Sequence, residues 1–190
     1  MGWDPTDYHE AEHPVQRRMI EEVIRWSGLS AEQLPTGVDG CGVVCFAAPL
    51  EDMARSFATF TQAADAGEGA GRIVEAMTSN PFMVGGTGRT CTDVMDVVGD
   101  AVFVKLGAEG VYGGGLRGRG VGFSIKVADG GRRAVEVALI HVLASLEALS
   151  DNDMVTLRHN VRPTGWNTRG GTVGDVGQYC DLVCDAVGGV

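Results

Sequence analysis

Lysine is nearly missing from this chain of 190 residues: there are two, Lys105 and Lys126, against 13 arginines. Arginine stays charged in almost any setting, whereas a lysine desolvated by its neighbours gives up its proton and becomes a base, so the two retained lysines invite a chemical reading. Long apolar runs are lacking too. None approaches the roughly 18 residues of a membrane-spanning helix, so no membrane association is expected. The opening Met1-Gly2-Trp3-Asp4-Pro5 has no charged-then-apolar layout of a secretory signal, and the expectation is a soluble, cytoplasmic protein. Positive charge is sparse: the net charge is −10, and Lys/Arg groupings stop at pairs such as Arg17-Arg18 and Arg132-Arg133. Such a field repels phosphate backbones, which excludes nucleic acid as a partner. Five cysteines without a signal read as reduced thiols rather than a disulfide framework.

What is present is a core and an excess of glycine. Hydrophobic residues make up 44% of the chain, enough to bury an interior at a length suited to one domain, read here as 1–190. Glycine supplies 29 residues, about twice its ordinary ~7% share. Pro14 opens a helix whose apolar positions 15, 19, 20, 23 and 24 follow helical spacing, with Gly28 as its stop. Ser30 starts a short second turn. Thr36 to Ala47 reads as a tight glycine turn running into a short strand. Leu50 to Ala66 carries an apolar stripe at Leu50, Met53, Ala54, Phe57 and Ala58. Further helices are expected over Arg72–Met77, Thr90–Val98 and Arg132–Leu149, with 82–89 as a loop. Strands are expected at Ala101–Lys105 and Gly122–Val127, joined as a hairpin by a glycine-dense connection, and 151–190 as an irregular tail. The fold class is therefore α/β in the α+β sense: a mixed, partly antiparallel sheet flanked by helices, small enough to be a fraction of a larger layer.

Four groups of residues carry candidate chemistry. Gly85-Gly86-Thr87-Gly88-Arg89-Thr90 lacks the spacing of a phosphate loop, because position 83 is Met and 89 is Arg. It reads either as a carboxylate-binding turn, through backbone N–H groups and the Arg89 guanidinium, or as a turn with a solvated arginine. Cys41 and Cys45, with Cys180 and Cys184, form two C-x3-C pairs that read either as zinc ligands or as buried thiols. Asp39-Gly40-Cys41-Gly42 puts a carboxylate and a thiol on one tight turn. The four histidines, His9, His13, His141 and His159, are scattered, and His141 falls within an apolar helix as a core residue. Lys105 ends the strand Val102-Phe103-Val104-Lys105 next to Gly107, and Lys126 sits similarly before Asp129-Gly130. Each lysine reads either as a base able to activate a hydroxyl or as a guard on a sheet edge.

Several strings occur together in order: His13-Pro14-Val15-Gln16, Gly37-Val38-Asp39-Gly40-Cys41-Gly42, Asn80-Pro81-Phe82-Met83-Val84-Gly85-Gly86 with Arg89, Lys105-Leu106-Gly107-Ala108-Glu109-Gly110-Val111-Tyr112, and Ile125-Lys126-Val127-Ala128-Asp129-Gly130. In these the chain resembles the bacterial asparaginase family of the rhizobial, thermolabile type. The resemblance implies hydrolysis of L-asparagine to L-aspartate and ammonia by a serine that lysine activates, on a fold similar to the serine β-lactamases and glutaminases. It assigns Lys105, in Lys105-Leu106-Gly107, as the catalytic lysine, with Lys126 in reserve. It implies zinc held by two cysteines and a lysine, Cys41 matching one cysteine, with Asp39 as the carboxylate near the site. Arg89, or backbone amides near Gly86, would hold the substrate's carboxylate.

Family members are much longer, and the resemblance covers their C-terminal portion. No Ser-x-x-Lys occurs, since Val102 and Phe123 stand three residues before the two lysines, and Ser79 and Ser124 match no nucleophile motif. The expected nucleophile and the remaining zinc ligands therefore belong to a segment this sequence does not contain. The alternative is a non-catalytic remnant or subunit that binds a small amino acid or pairs with a separate N-terminal polypeptide. A cysteine-rich metal-binding protein is a third reading. Without complementary strands, apolar edges such as Val102-Phe103-Val104 are expected to be exposed and to drive homo-oligomerisation.

Overall fold

The computed structural model describes residues 2–177. Helix α1 spans Pro14–Ser27. Proline suits its first turn, the His13 ring accepts from the Val15 N–H, and Gly28 at φ 74° ends it by donating to Ile24 O. His13 is thus a helix cap. A single 3-10 turn at Ala31–Gln33 follows, with Ser30 as its cap. Strands β1 (Thr36–Val38) and β2 (Val44–Phe46) pair antiparallel, Gly37 opposite Cys45. Next come α2 (Leu50–Asp65), α3 (Gly69–Ser79), α4 (Pro81–Gly85) and α5 (Thr90–Val98). Strands β3 (Val102–Gly107), β4 (Val111–Leu116) and β5 (Val121–Lys126) form a three-stranded sheet in that order. Helix α6 (Arg132–Ser145) buries Val135, Val137, Leu139, Ile140 and Leu143. Two short helices, α7 (Asp151–Thr156) and α8 (Arg158–Val161), precede an antiparallel hairpin of β6 (Thr164–Trp166) and β7 (Thr172–Asp175). The fold is mixed α/β, with small sheets flanked by helices.

The chain divides into two compact units, Met1–Ile73 with Gly113–Ser124, and Val74–Tyr112 with Ile125–Val190. In the first, α1 packs on α2, and Trp26 meets Phe60 edge to face with ring centroids 5.1 Å apart. Two strand glycines lie flush against α2: a Cβ on Gly113 would fall 2.5 Å from Phe57 Cζ, and one on Gly122 2.6 Å from the Phe57 carbonyl carbon. Their absent side chains let the helix approach the strands. In the second unit, α4 and α5 pack on β3, α5 packs on α7, and α6 packs on α8.

Three expectations of secondary structure change. The glycine-dense connection holds a strand, β4, so Ala101–Lys105 and Gly122–Val127 are not partners in a simple hairpin. Residues 82–89 are not all loop, because Pro81 starts α4 and Gly86 stops it. The stretch 151–175, read as irregular from its glycines, carries α7, α8, β6 and β7; Ser150 caps α7 by accepting from the Asp153 N–H.

The side chains of Val102, Phe103 and Val104 are not exposed: they are 1%, 2% and 0% accessible, consistent with α4 and α5 covering β3. Exposed large apolar side chains lie instead at Phe82 and Met83 on α4 and at Trp166 and Val173 on the last hairpin. Among the described residues no helix is long and apolar enough to cross a membrane.

Candidate functional site

In the second unit the turn after α4 and the end of β3 enclose a cavity of about 120 Å³, lined by Gly85, Arg89, Cys91, Lys105 and Leu106. Its shape follows from local chemistry. Gly86, at φ 83°, takes a conformation that side chains resist, and its N–H closes α4 on Phe82 O at 2.8 Å. Thr92, one turn into α5, donates its hydroxyl to Gly86 O at 2.9 Å and ties the turn to the helix. Gly85 has to be glycine, since a Cβ there would lie 2.5 Å from Thr92 Oγ1 and 2.7 Å from Cys91 Sγ. Arg89 is the N-cap of α5, where its carbonyl accepts from the Asp93 N–H. Its guanidinium makes no ion pair among the described residues. Lys105 is exposed at the end of β3, and its Nζ donates to Leu106 O at 2.8 Å.

Behind the cavity the first turn of α5 is held by polar contacts. Asn160 of α8 donates to Thr90 Oγ1 at 3.1 Å and to Asp93 Oδ2 at 3.0 Å. Cys91 and Tyr112 are fully buried. Burial pushes the Tyr112 phenol well above its ordinary range, with Cys91 and Glu136 adding to the effect, so it remains a protonated donor. Neither residue carries a sequence signal for this place. Cys91 forms no C-x3-C pair, and Tyr112 opens a glycine run that reads as a connection.

Lys105 and Arg89 are therefore brought together, with Gly86 as the hinge of the turn between them and α4. Gly86 does not offer its own N–H to a ligand, since Phe82 O already holds it. The reserve lysine has other work: Lys126 Nζ donates to Glu109 O and, at 2.9 Å, to Val127 O, clamping the β3–β4 turn where Glu109 stands at φ 57°. Ser79 is exposed at the end of α3, and Ser124 belongs to the first unit, where its hydroxyl is buried without a hydrogen-bond partner among the described residues. Neither lines the cavity.

Asp39 and Cys41 lie in the first unit, on the turn between β1 and β2. Asp39 Oδ1 accepts from the Cys41 N–H at 2.8 Å and the Val43 N–H at 3.1 Å, so this carboxylate shapes its own loop. Cys41 and Cys45 are exposed free thiols, while Cys180 and Cys184 fall outside the described residues. Among the described residues no three His, Cys, Asp or Glu side chains gather where a metal would bind. A zinc ion needs about four such ligands. Asp39 and Cys41 alone do not make up that set, and Cys180 and Cys184 lie outside the described residues.

The cavity brings the Arg89 guanidinium and the Lys105 ammonium to a glycine-lined wall, an arrangement that suits a small carboxylate. No curated protein matches the chain. A family model for L-asparaginase II matches residues 1–178, a span that includes every residue of the cavity. The chain belongs to the L-asparaginase II family.

Proposed function

We propose that the chain supplies the lysine and carboxylate-holding half of an asparaginase-type site, which hydrolyses L-asparagine to L-aspartate and ammonia. The observation that carries this reading is the shared cavity of Arg89 and Lys105 within a chain of the L-asparaginase II family. Amide hydrolysis needs a grip on the substrate, a nucleophile, a base and donors for the developing oxyanion. Arg89, free of ion pairs among the described residues, holds the α-carboxylate through two parallel N–H bonds. The Lys105 amine takes the proton of a hydroxyl nucleophile.

The hydroxyl itself comes from a serine outside these 190 residues, as among the described residues no serine lines the cavity. Zinc enters no step, and a metal role for Cys41 would need ligands from that same outside segment. The reading extends to the fold. Lys105-Leu106-Gly107 lying on a sheet strand supports a layout similar to the serine β-lactamases and glutaminases.

Binding of L-asparagine and ammonia release by the purified chain test the proposal, with Lys105→Ala in parallel. Saturable binding without release is expected. Release abolished by Lys105→Ala would keep the base and overturn the outside nucleophile. Release that survives the substitution would overturn Lys105 as the base, and neither binding nor release would overturn the site.

A further inference from the structure

A second cavity, of about 360 Å³, lies within the first unit, where the last turn of α1 meets the end of α2. Small-molecule sites occupy about 300–1,000 Å³, so this one has the room for a ligand. Arg25 and Glu68 both line it, carry opposite charges and form no ion pair with each other. The Arg25 guanidinium lies over the Trp26 ring, 4.7 Å from its centroid, which holds the planar group in place. Its donors are not spent. The neighbouring Glu22 pairs with Arg18 through one oxygen and accepts from Trp26 Nε1 at 3.0 Å through the other, leaving Arg25 Nη1 3.8 Å away, beyond hydrogen-bond reach. Glu68 stands just past the C-terminus of α2, whose last carbonyls add negative potential. Its carboxylate makes no hydrogen bond or ion pair among the described residues. Much of the remaining wall is apolar, formed by the Trp26 indole, Ala63 and Ala66.

A cation and an anion that share a cavity without neutralising each other, beside an apolar wall, fit a ligand that carries both charges and an apolar group. Going beyond the proposed function, we infer that this cavity binds a free zwitterionic α-amino acid with a large apolar side chain. Arg25 takes the carboxylate through two parallel N–H bonds, Glu68 takes the ammonium, and Trp26, Ala63 and Ala66 take the side chain. Such a ligand has no net charge, so the −10 of the chain does not repel it.

L-Phenylalanine is the probe, titrated into the full chain by calorimetry. Saturable binding is expected, weakened about tenfold in Arg25→Gln and at least threefold in Glu68→Gln. Both side chains are exposed, so both variants should melt with the wild type. Phenethylamine, which lacks the carboxylate, and 3-phenylpropionate, which lacks the ammonium, should each bind about tenfold more weakly than the amino acid. No saturable binding of L-phenylalanine would overturn the inference, as would affinity unchanged in Arg25→Gln. Equal affinity for either single-charge analogue would overturn the zwitterion. Displacement by L-aspartate, or loss of binding in Arg89→Gln, would put the ligand in the Arg89 pocket and overturn the second site. L-Aspartate binding and ammonia release, which test the proposed function, stand apart from all of these outcomes.

Discussion

Replacing Gly122 by alanine should unseat α2 from the strands it covers. A Cβ at this position would sit 2.6 Å from the Phe57 carbonyl carbon and closer still to Ala58 N and Ala54 O. All three are helix backbone atoms, so no rotamer change relieves the overlap, and the whole helix has to shift. Overpacking of this kind costs typically 1–3 kcal/mol, and a backbone clash belongs at about 3. At about 2–4 °C per kcal/mol for a chain of this length, the melting temperature should fall by about 6–12 °C. Two companion variants give the scale. Gly113→Ala meets the Phe57 ring, with Cζ at 2.5 Å and Cδ2 at 3.0 Å; a ring yields more easily than backbone, so the loss should be smaller. Gly40→Ala, with nothing within 4 Å, should stay within about 0.5 kcal/mol of the wild type. Thermal denaturation followed by circular dichroism reads all three. If Gly122→Ala melted with Gly40→Ala, the close approach of α2 to β5 would be refuted.

Lys126→Met should cost about 1 kcal/mol by freeing the Glu109 and Val127 carbonyls, yet leave L-aspartate affinity unchanged, as chemical denaturation and calorimetry would show. A loss of affinity would return Lys126 to the site. Burial depresses the His141 pKa below its ordinary 6.5, so stability present above pH 6.5 should fall as the pH drops through the lowered value. His141→Gln should flatten that acid limb of the denaturation midpoint. The Tyr112 phenol is shifted the other way, above its ordinary 10.0, so stability present below pH 10 should fall as the pH rises beyond it, and Tyr112→Phe should remove this part of the alkaline decline.

The helices were legible where their own residues decide them. Pro14 and Gly28 bracket α1, and the stripe from Leu50 to Ala58 marks α2. Strand β4 was not, because Gly113-Gly114-Gly115 has no side chains to show a period of two. Gly113 reflects the nearness of Phe57, 56 residues earlier in the chain, which no local pattern records. Helix α4 was hidden for a similar reason: five residues closed by two glycines look like a turn until Thr92 ties Gly86 down. At the candidate site, Lys105 and Arg89 stood out through residue type and neighbouring glycines. Cys91 and Tyr112 did not, since burial against the first turn of α5 is a tertiary property. Asp39 was visible as a carboxylate on a turn, but not that its oxygen already serves two N–H groups of its own loop.

In the proposed site Arg89 holds a small carboxylate within the cavity that Lys105 also lines. Titration calorimetry of L-aspartate against the wild type, Arg89→Gln and Lys105→Gln addresses this most directly. A guanidinium–carboxylate pair contributes about 1.5–3 kcal/mol, so the account predicts binding by the wild type that weakens at least about tenfold in Arg89→Gln and measurably in Lys105→Gln. Equal affinities in the wild type and Arg89→Gln, with both variants folded, would contradict it.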